Sequence, residues 1–223
     1  VVPLWAHKLT AFVDVQKDLL YWVVVAWSDK FQGHVIDYGT WPDQTRKYFF
    51  RRDANPTLKS TYANCNFEGW LRAGLTDLTK YLLDKEWPGE TDGRVHFVEK
   101  LLIDSGWGDS TDVVNEFCRT SGRPTIVVPA LGTGIGCKRD PMSKWAIKPG
   151  EKRHFHALET HGAKNRAIKH IVVDTNFWKS FCARRFTTPI GNPGSLTLFK
   201  QKGVDHRLFA DHMTAEVFAR LRE

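Results

Sequence analysis

Residues 10–16 alternate in character: Ala11, Val13 and Val15 fall on one side, Phe12, Asp14 and Gln16 on the other, which is the period-two signature of a half-buried strand. After Lys17-Asp18, residues 19–27 are apolar on both faces, which predicts a central strand. A turn over 28–33 leads into 34–39, a third strand. Three strands joined by short connections predict an antiparallel meander. Residues 41–66 are polar, basic and poorly periodic, and read as a loop or a partly helical excursion. Phe67, Leu71, Leu75, Leu78 and Leu82 then recur at helical spacing and predict a helix that stops near Trp87-Pro88-Gly89.

The second half alternates strands and helices. Residues 100–104 form a short buried strand, broken by Ser105-Gly106-Trp107-Gly108. Residues 109–112 supply cap candidates for a helix through Val113, Val114, Phe117 and Cys118 that ends at Gly122. A strand over 125–130 follows, and this strand–helix–strand unit predicts parallel pairing by a right-handed crossover. Residues 132–162 are rich in Gly, Lys and Arg and read as an inserted loop or hairpin. Further on come a strand over 171–174, a helix over 178–186 capped by Thr175 or Asn176, a turn over 189–194, a short strand over 195–199 and a helix beginning at 213. No repeat or shift in composition marks a second domain. The order, a three-strand meander and then alternating strands and helices, is that of a ribonuclease-H-like fold, one of several α/β arrangements it allows.

Composition narrows the functional classes. The longest apolar run, 19–27, falls well short of the roughly 18 residues of a membrane span, and the opening residues lack the basic and cleavage regions of a secretory signal. None of the four cysteines forms a Cys-x-x-Cys pair, which argues against a zinc site and fits a reducing compartment. A formal net charge of +7 suits a polyanionic partner. Charge alone is equally an ordinary basic surface. Basic residues do cluster beside aromatics, as at Arg46-Lys47 and Arg51-Arg52 around Tyr48, Phe49 and Phe50. Such mixing binds phosphates and stacks on bases, or else combines core aromatics with solvated charges.

Two carboxylates carry the candidate chemistry. Asp14 lies in a strand between apolar neighbours, and Asp104 ends a buried strand before small residues. A carboxylate there is costly unless paired, hydrogen-bonded or bound to metal. Two of them on adjacent strands can hold the divalent cations of phosphodiester hydrolysis, and oxygen ligands favour magnesium or manganese. The competing reading is that each caps a helix or holds a turn. The run Gly132-Thr133-Gly134-Ile135-Gly136-Cys137-Lys138 is followed by Arg139 and Asp140-Pro141 rather than Ser or Thr opening a helix, so it reads as a basic glycine loop and not a P-loop. His154 and His156 would share one strand face, as a metal pair or an exposed hairpin. His206 and His212, near Asp205 and Asp211, read as approaching a site or, by default, as surface residues at a helix entry.

Taken together, Leu9-Thr10-Ala11-Phe12-Val13-Asp14-Val15-Gln16, Val35-Ile36-Asp37-Tyr38-Gly39, Ile103-Asp104-Ser105-Gly106 and Val127-Val128-Pro129-Ala130-Leu131-Gly132 resemble the GpA-like (phage lambda type) nuclease domain of terminase large subunits. Asp174-Thr175 and Met213-Thr214-Ala215-Glu216 extend the resemblance toward the end of the chain. The resemblance implies a ribonuclease-H/RuvC-like mixed sheet, the meander plus parallel strands flanked by helices, in a single domain over 1–223. It implies an endonuclease that cuts concematerised double-stranded viral DNA during packaging with two Mg2+ or Mn2+ ions, in the cytoplasm of the infected bacterial host. Asp14 and Asp104 match the first two catalytic acids. The family's remaining acid comes from a helix after the Thr-Ala-Glu motif, and its ATPase motor precedes the nuclease; both are expected outside this chain, so that 1–223 alone is expected to bind metal poorly and to cut weakly or not at all. Asp174 is the local candidate for the remaining metal ligand, with Glu216 behind it. The basic insert, Lys138, Arg139, Lys144, Lys148, Lys152 and Arg153, is the candidate DNA-backbone contact. Expected partners are duplex DNA, the small terminase subunit and the portal, with no membrane. A non-cleaving DNA-binding or portal-docking module and a junction resolvase of the same fold are the alternatives.

Overall fold

A computed structural model of the chain describes residues 1–91, 93–136, 140–161, 169–200 and 203–215. The meander comprises β1 (Lys8–Val15), β2 (Leu20–Trp27) and β3 (Gly33–Trp41), paired antiparallel with β2 in the centre. A loop leads to the one-turn α1 (Leu58–Thr61) and then to α2 (Phe67–Asp84). A small ribbon of β4 (Trp87–Pro88) and β5 (Val95–His96) precedes β6 (Val98–Asp104), α3 (Thr111–Thr120) and β7 (Val127–Thr133). The hairpin β8 (Lys152–His154) and β9 (Ala157–His161) follows. The chain continues through β10 (Lys169–Asp174), α4 (Thr175–Phe186), β11 (Leu196–Leu198) and α5 (Arg207–Thr214).

Among the described residues, nine strands form one mixed sheet in the order β11-β3-β2-β1-β6-β7-β10-β9-β8. β1, β6, β7 and β10 run parallel, so their carboxyl ends lie along one edge. The expected meander and the expected β6–α3–β7 parallel unit are both present. The insert supplies the β8–β9 hairpin, which extends the sheet antiparallel to β10. β11 closes the opposite edge by pairing parallel with β3.

Alternation along β1 sets the two faces. Leu9, Ala11, Val13 and Val15 are buried toward α2 and α3, while Thr10, Phe12 and Asp14 face the other way. Leu71, Leu75, Leu78 and Leu82 of α2 are fully buried against the first face, and Val114 and Phe117 of α3 join them. Asn66 starts α2 by accepting the Gly69 N–H at 2.9 Å. Inside the helix, a Cβ at position 74 would collide with Leu58, so Gly74 is what lets α1 pack closely. The second face is covered by α4, whose Phe181 meets Phe31 beside Trp27, and by α5, whose Phe209 and His212 lie on Tyr38 and Tyr21.

Candidate active site

Val13 of β1 pairs with Ile103 of β6 in parallel register, so Asp14 and Asp104 are the next residues on neighbouring strands. Paired residues of parallel strands point to the same side, and adjacent strands are about 4.8 Å apart. The two carboxylates therefore stand together on the second face, at the carboxyl edge of the sheet, each half-buried. Burial pushes the Asp104 carboxyl above the ordinary range, a bond from the Gly106 N–H opposes this, and the charge of Asp14 pushes it further up.

One oxygen of each carboxylate is held by the chain. Gln16 Nε2 donates to Asp14 Oδ2 at 2.9 Å, and Gly106 N–H donates to Asp104 Oδ1 at 3.0 Å. A Cβ at position 106 would approach Asp104 Oδ1 to 3.1 Å, so glycine keeps this turn close to the carboxylate. Ser105, buried, donates its hydroxyl to Ala130 O at 2.9 Å and fixes the end of β6 against β7. Arg51 Nη1 donates to Gln16 Oε1 at 3.0 Å and lies 3.8 Å from Asp18. Asp14 also forms part of a groove of about 760 Å³ between the loop after β3 and α5, with Tyr21 and His212 beside it.

A divalent cation fits this pair. The donors are two carboxylates, the hard oxygen ligands that Mg2+ and Mn2+ select, and hydrogen bonds from described residues occupy only one oxygen of each. Among the described residues, no cluster of three or more His, Cys, Asp or Glu side chains converges on one point. Glu216 lies outside the described residues.

The structure does not bring Asp174 to the pair. Register passes from Asp104 to Ala130 and on to Ile171, which puts Val173 on the Asp14 side and Asp174 on the other. Its buried carboxylate instead accepts the Phe177 N–H at 3.1 Å, capping α4, and lies 3.4 Å from His156 Nδ1. The two insert histidines also part. Phe155 takes φ 58°, which breaks the alternation: His154 turns to Glu159 at 3.5 Å, while His156 is buried and stacked on Phe177. His206 is no plain surface residue either, since it bridges the Tyr38 hydroxyl and Phe199 O.

Of the basic insert, Lys138 and Arg139 lie outside the described residues. Lys144, Lys148 and Lys152 are exposed, and Arg153 donates to Ser143 O at 2.6 Å. Lys152 and Arg153 lie on β8, four strands from β6, and Lys144 and Lys148 in the segment that precedes it. At about 4.8 Å per strand, β8 is roughly 19 Å from β6. Sequence reasoning assigned Gln16 and Gly106 no role beside the acids. The first was legible as the neighbour of Asp14 on the same strand face, and the second as a small residue after a strand-end acid. Arg51 stood out as part of the basic, aromatic-flanked run over 46–52, but nothing in the local sequence points to its contact with Gln16.

No helix among the described residues is long and apolar enough to cross a membrane. No curated protein and no solved structure matches the chain. A family model does, over residues 1–223, that of the endonuclease domain of the terminase large subunit gpA. A mixed α/β sheet with helices on both faces accords with that match, and the chain belongs to the terminase large subunit gpA endonuclease-domain family.

Proposed function

We propose that residues 1–223 form one nuclease domain that hydrolyses phosphodiesters of concatemeric double-stranded viral DNA during packaging, with Asp14 and Asp104 as its metal-holding acids. The observation that carries the reading is the register of β1 against β6, which sets these two carboxylates side by side on one face. Mg2+ or Mn2+ bound there, as a two-metal site, supplies an activated water and charge stabilisation for the leaving oxygen. The chain's own contribution is orientation. Gln16 fixes Asp14 through one oxygen and Gly106 fixes Asp104 through one oxygen, so the remaining two are aimed with little freedom to lose. In the host cytoplasm, the DNA, the small terminase subunit and the portal are the proposed partners.

The decisive measurement is manganese-dependent nicking of supercoiled plasmid by a chain extended past Glu223. Asp14→Asn and Asp104→Asn are each expected to reduce nicking to the no-protein baseline while circular dichroism stays that of the parent. Wild-type nicking by either variant would refute the assignment.

A further inference from the structure

The loop between β3 and α1 is pinned at both ends by one side chain. Gln44 is buried, and its Nε2 donates to Pro42 O at 3.2 Å and Pro56 O at 2.7 Å, while its Oε1 accepts the Asn55 N–H at 2.8 Å. Phe49 is buried beneath the loop. What this anchored loop presents is basic: Arg46 and Lys47 are exposed, and Arg51 reaches Gln16, the residue that holds Asp14. All three line the same groove as Asp14.

The charges facing that groove are unequal in availability. Asp37 is engaged by Lys85 at 3.2 Å, Asp43 accepts the Thr45 N–H, and Asp205 pairs with Arg207 at 3.2 Å. Asp37 and Asp205 are thus paired with cations, while Arg46 and Lys47 are not paired with any described anion; Asp43 on the same loop and Asp14 keep their charges, and Arg51 lies 3.8 Å from Asp18. Ring surfaces of Phe12, Tyr21 and Phe209 line it as well.

We propose that Arg46, Lys47 and Arg51 form a phosphate-binding subsite that holds the backbone of the DNA strand entering toward Asp14. This rests on the nuclease reading for its substrate. Two carboxylates repel an approaching phosphodiester, so cations on the approach are needed to bring a polyanion to them. Arginine forks match phosphate oxygens two at a time, and an anchored loop loses little freedom in binding. Lys152 and Arg153, on β8, are five strands from β1, roughly 24 Å at about 4.8 Å per strand, too far to seat the strand at Asp14.

The test is binding of the full chain to a short linear duplex, by fluorescence anisotropy in EDTA at stepped salt, so that no cleavage enters. R46A/K47A/R51A is expected to weaken binding at least tenfold at low salt and to lower the slope of log K against log salt by about 2–3. R46K/R51K should keep the slope, and K144A/K148A/K152A should change it less than the first variant does. If R46A/K47A/R51A misfolds, R46A/K47A, at two exposed positions, is expected to lower the slope by about 2. An unchanged slope in the loop variants, or a larger loss in K144A/K148A/K152A, overturns the proposal. Failure of the nuclease reading is separable: it appears as wild-type nicking by Asp14→Asn, whereas this subsite is read without metal or cleavage.

Discussion

Asp104 titrates above the usual carboxylate range because burial, and then the Asp14 charge, disfavour its ionised form against the opposing Gly106 bond. The folded chain therefore holds this proton more tightly than the unfolded chain does. The resulting stabilisation is complete below the ordinary aspartate range and is lost as pH rises through the elevated value. At neutral pH without metal, ionised Asp104 is a net cost to the fold. Asp104→Asn keeps an oxygen for Gly106 N–H and removes that cost. Thermal melts in EDTA should show the variant's Tm higher by on the order of 1–2 °C near neutral pH, with the gain vanishing at acid pH. Manganese should raise the Tm of the parent and leave the variant nearly unmoved, since only the parent keeps the pair. A variant that melts below the parent at neutral pH would reject this account. Both acids were legible because each sits in a strand whose neighbours must be buried. Asp174 shows the same local pattern and is a cap; strand-end position alone does not separate the two roles, and only register reveals which face the carboxylate takes. The histidine pair failed for a similar reason, because nothing in a Phe side chain announces the left-handed backbone of Phe155.

The cap assigned to Asp174 makes a prediction about α4 as an element. Asp174→Ala removes the acceptor for Phe177 N–H and leaves His156 without its carboxylate. Urea unfolding should show a loss of about 1–2 kcal/mol, most of it restored in Asp174→Asn, whose oxygen can still cap. Manganese-dependent nicking should survive in both. Loss of nicking with the fold intact would return Asp174 to the list of metal ligands. Most elements were readable from periodicity: the meander, α2 and the β6–α3–β7 unit all lie where alternation or a four-residue stripe puts them. The expected cap of α4, Thr175 or Asn176, was one or two residues late, since all three side chains can cap and only geometry chooses. The helix expected over 213–221 lies mostly outside the described residues, and α5 over Arg207–Thr214 was not read from the sequence; its N-cap residue His206 makes no side-chain cap.

At the scale of the whole molecule, strand order was the least legible feature. β11 has three residues, and its partner β3 lies some 160 positions away in the chain, so no local pattern could pair them. The groove at Asp14 inherits this, being walled by a loop that follows β3 and a helix that follows β11. The two faces of the sheet also differ in kind. Leu71, Leu75, Leu78 and Leu82 are fully buried on one face, whereas neither α4 nor α5 buries a residue fully on the other. The first layer should therefore set global stability, while the second shapes the site with weaker attachment. Leu75→Ala is expected to cost about 2–5 kcal/mol of unfolding free energy, since α2 cannot collapse onto a neighbouring strand to fill the space. Phe209→Ala, on a half-exposed ring 4.7 Å from Tyr38, should cost only about 1–2 kcal/mol from its smaller apolar burial. Limited proteolysis should then cut the Phe209→Ala chain selectively around α5 before the rest unfolds, because the helix can detach while the α2 face stays packed. Equal losses in the two variants, or cleavage spread evenly along the chain, would mean that both layers fold as one unit and that the groove wall is as firmly held as the core.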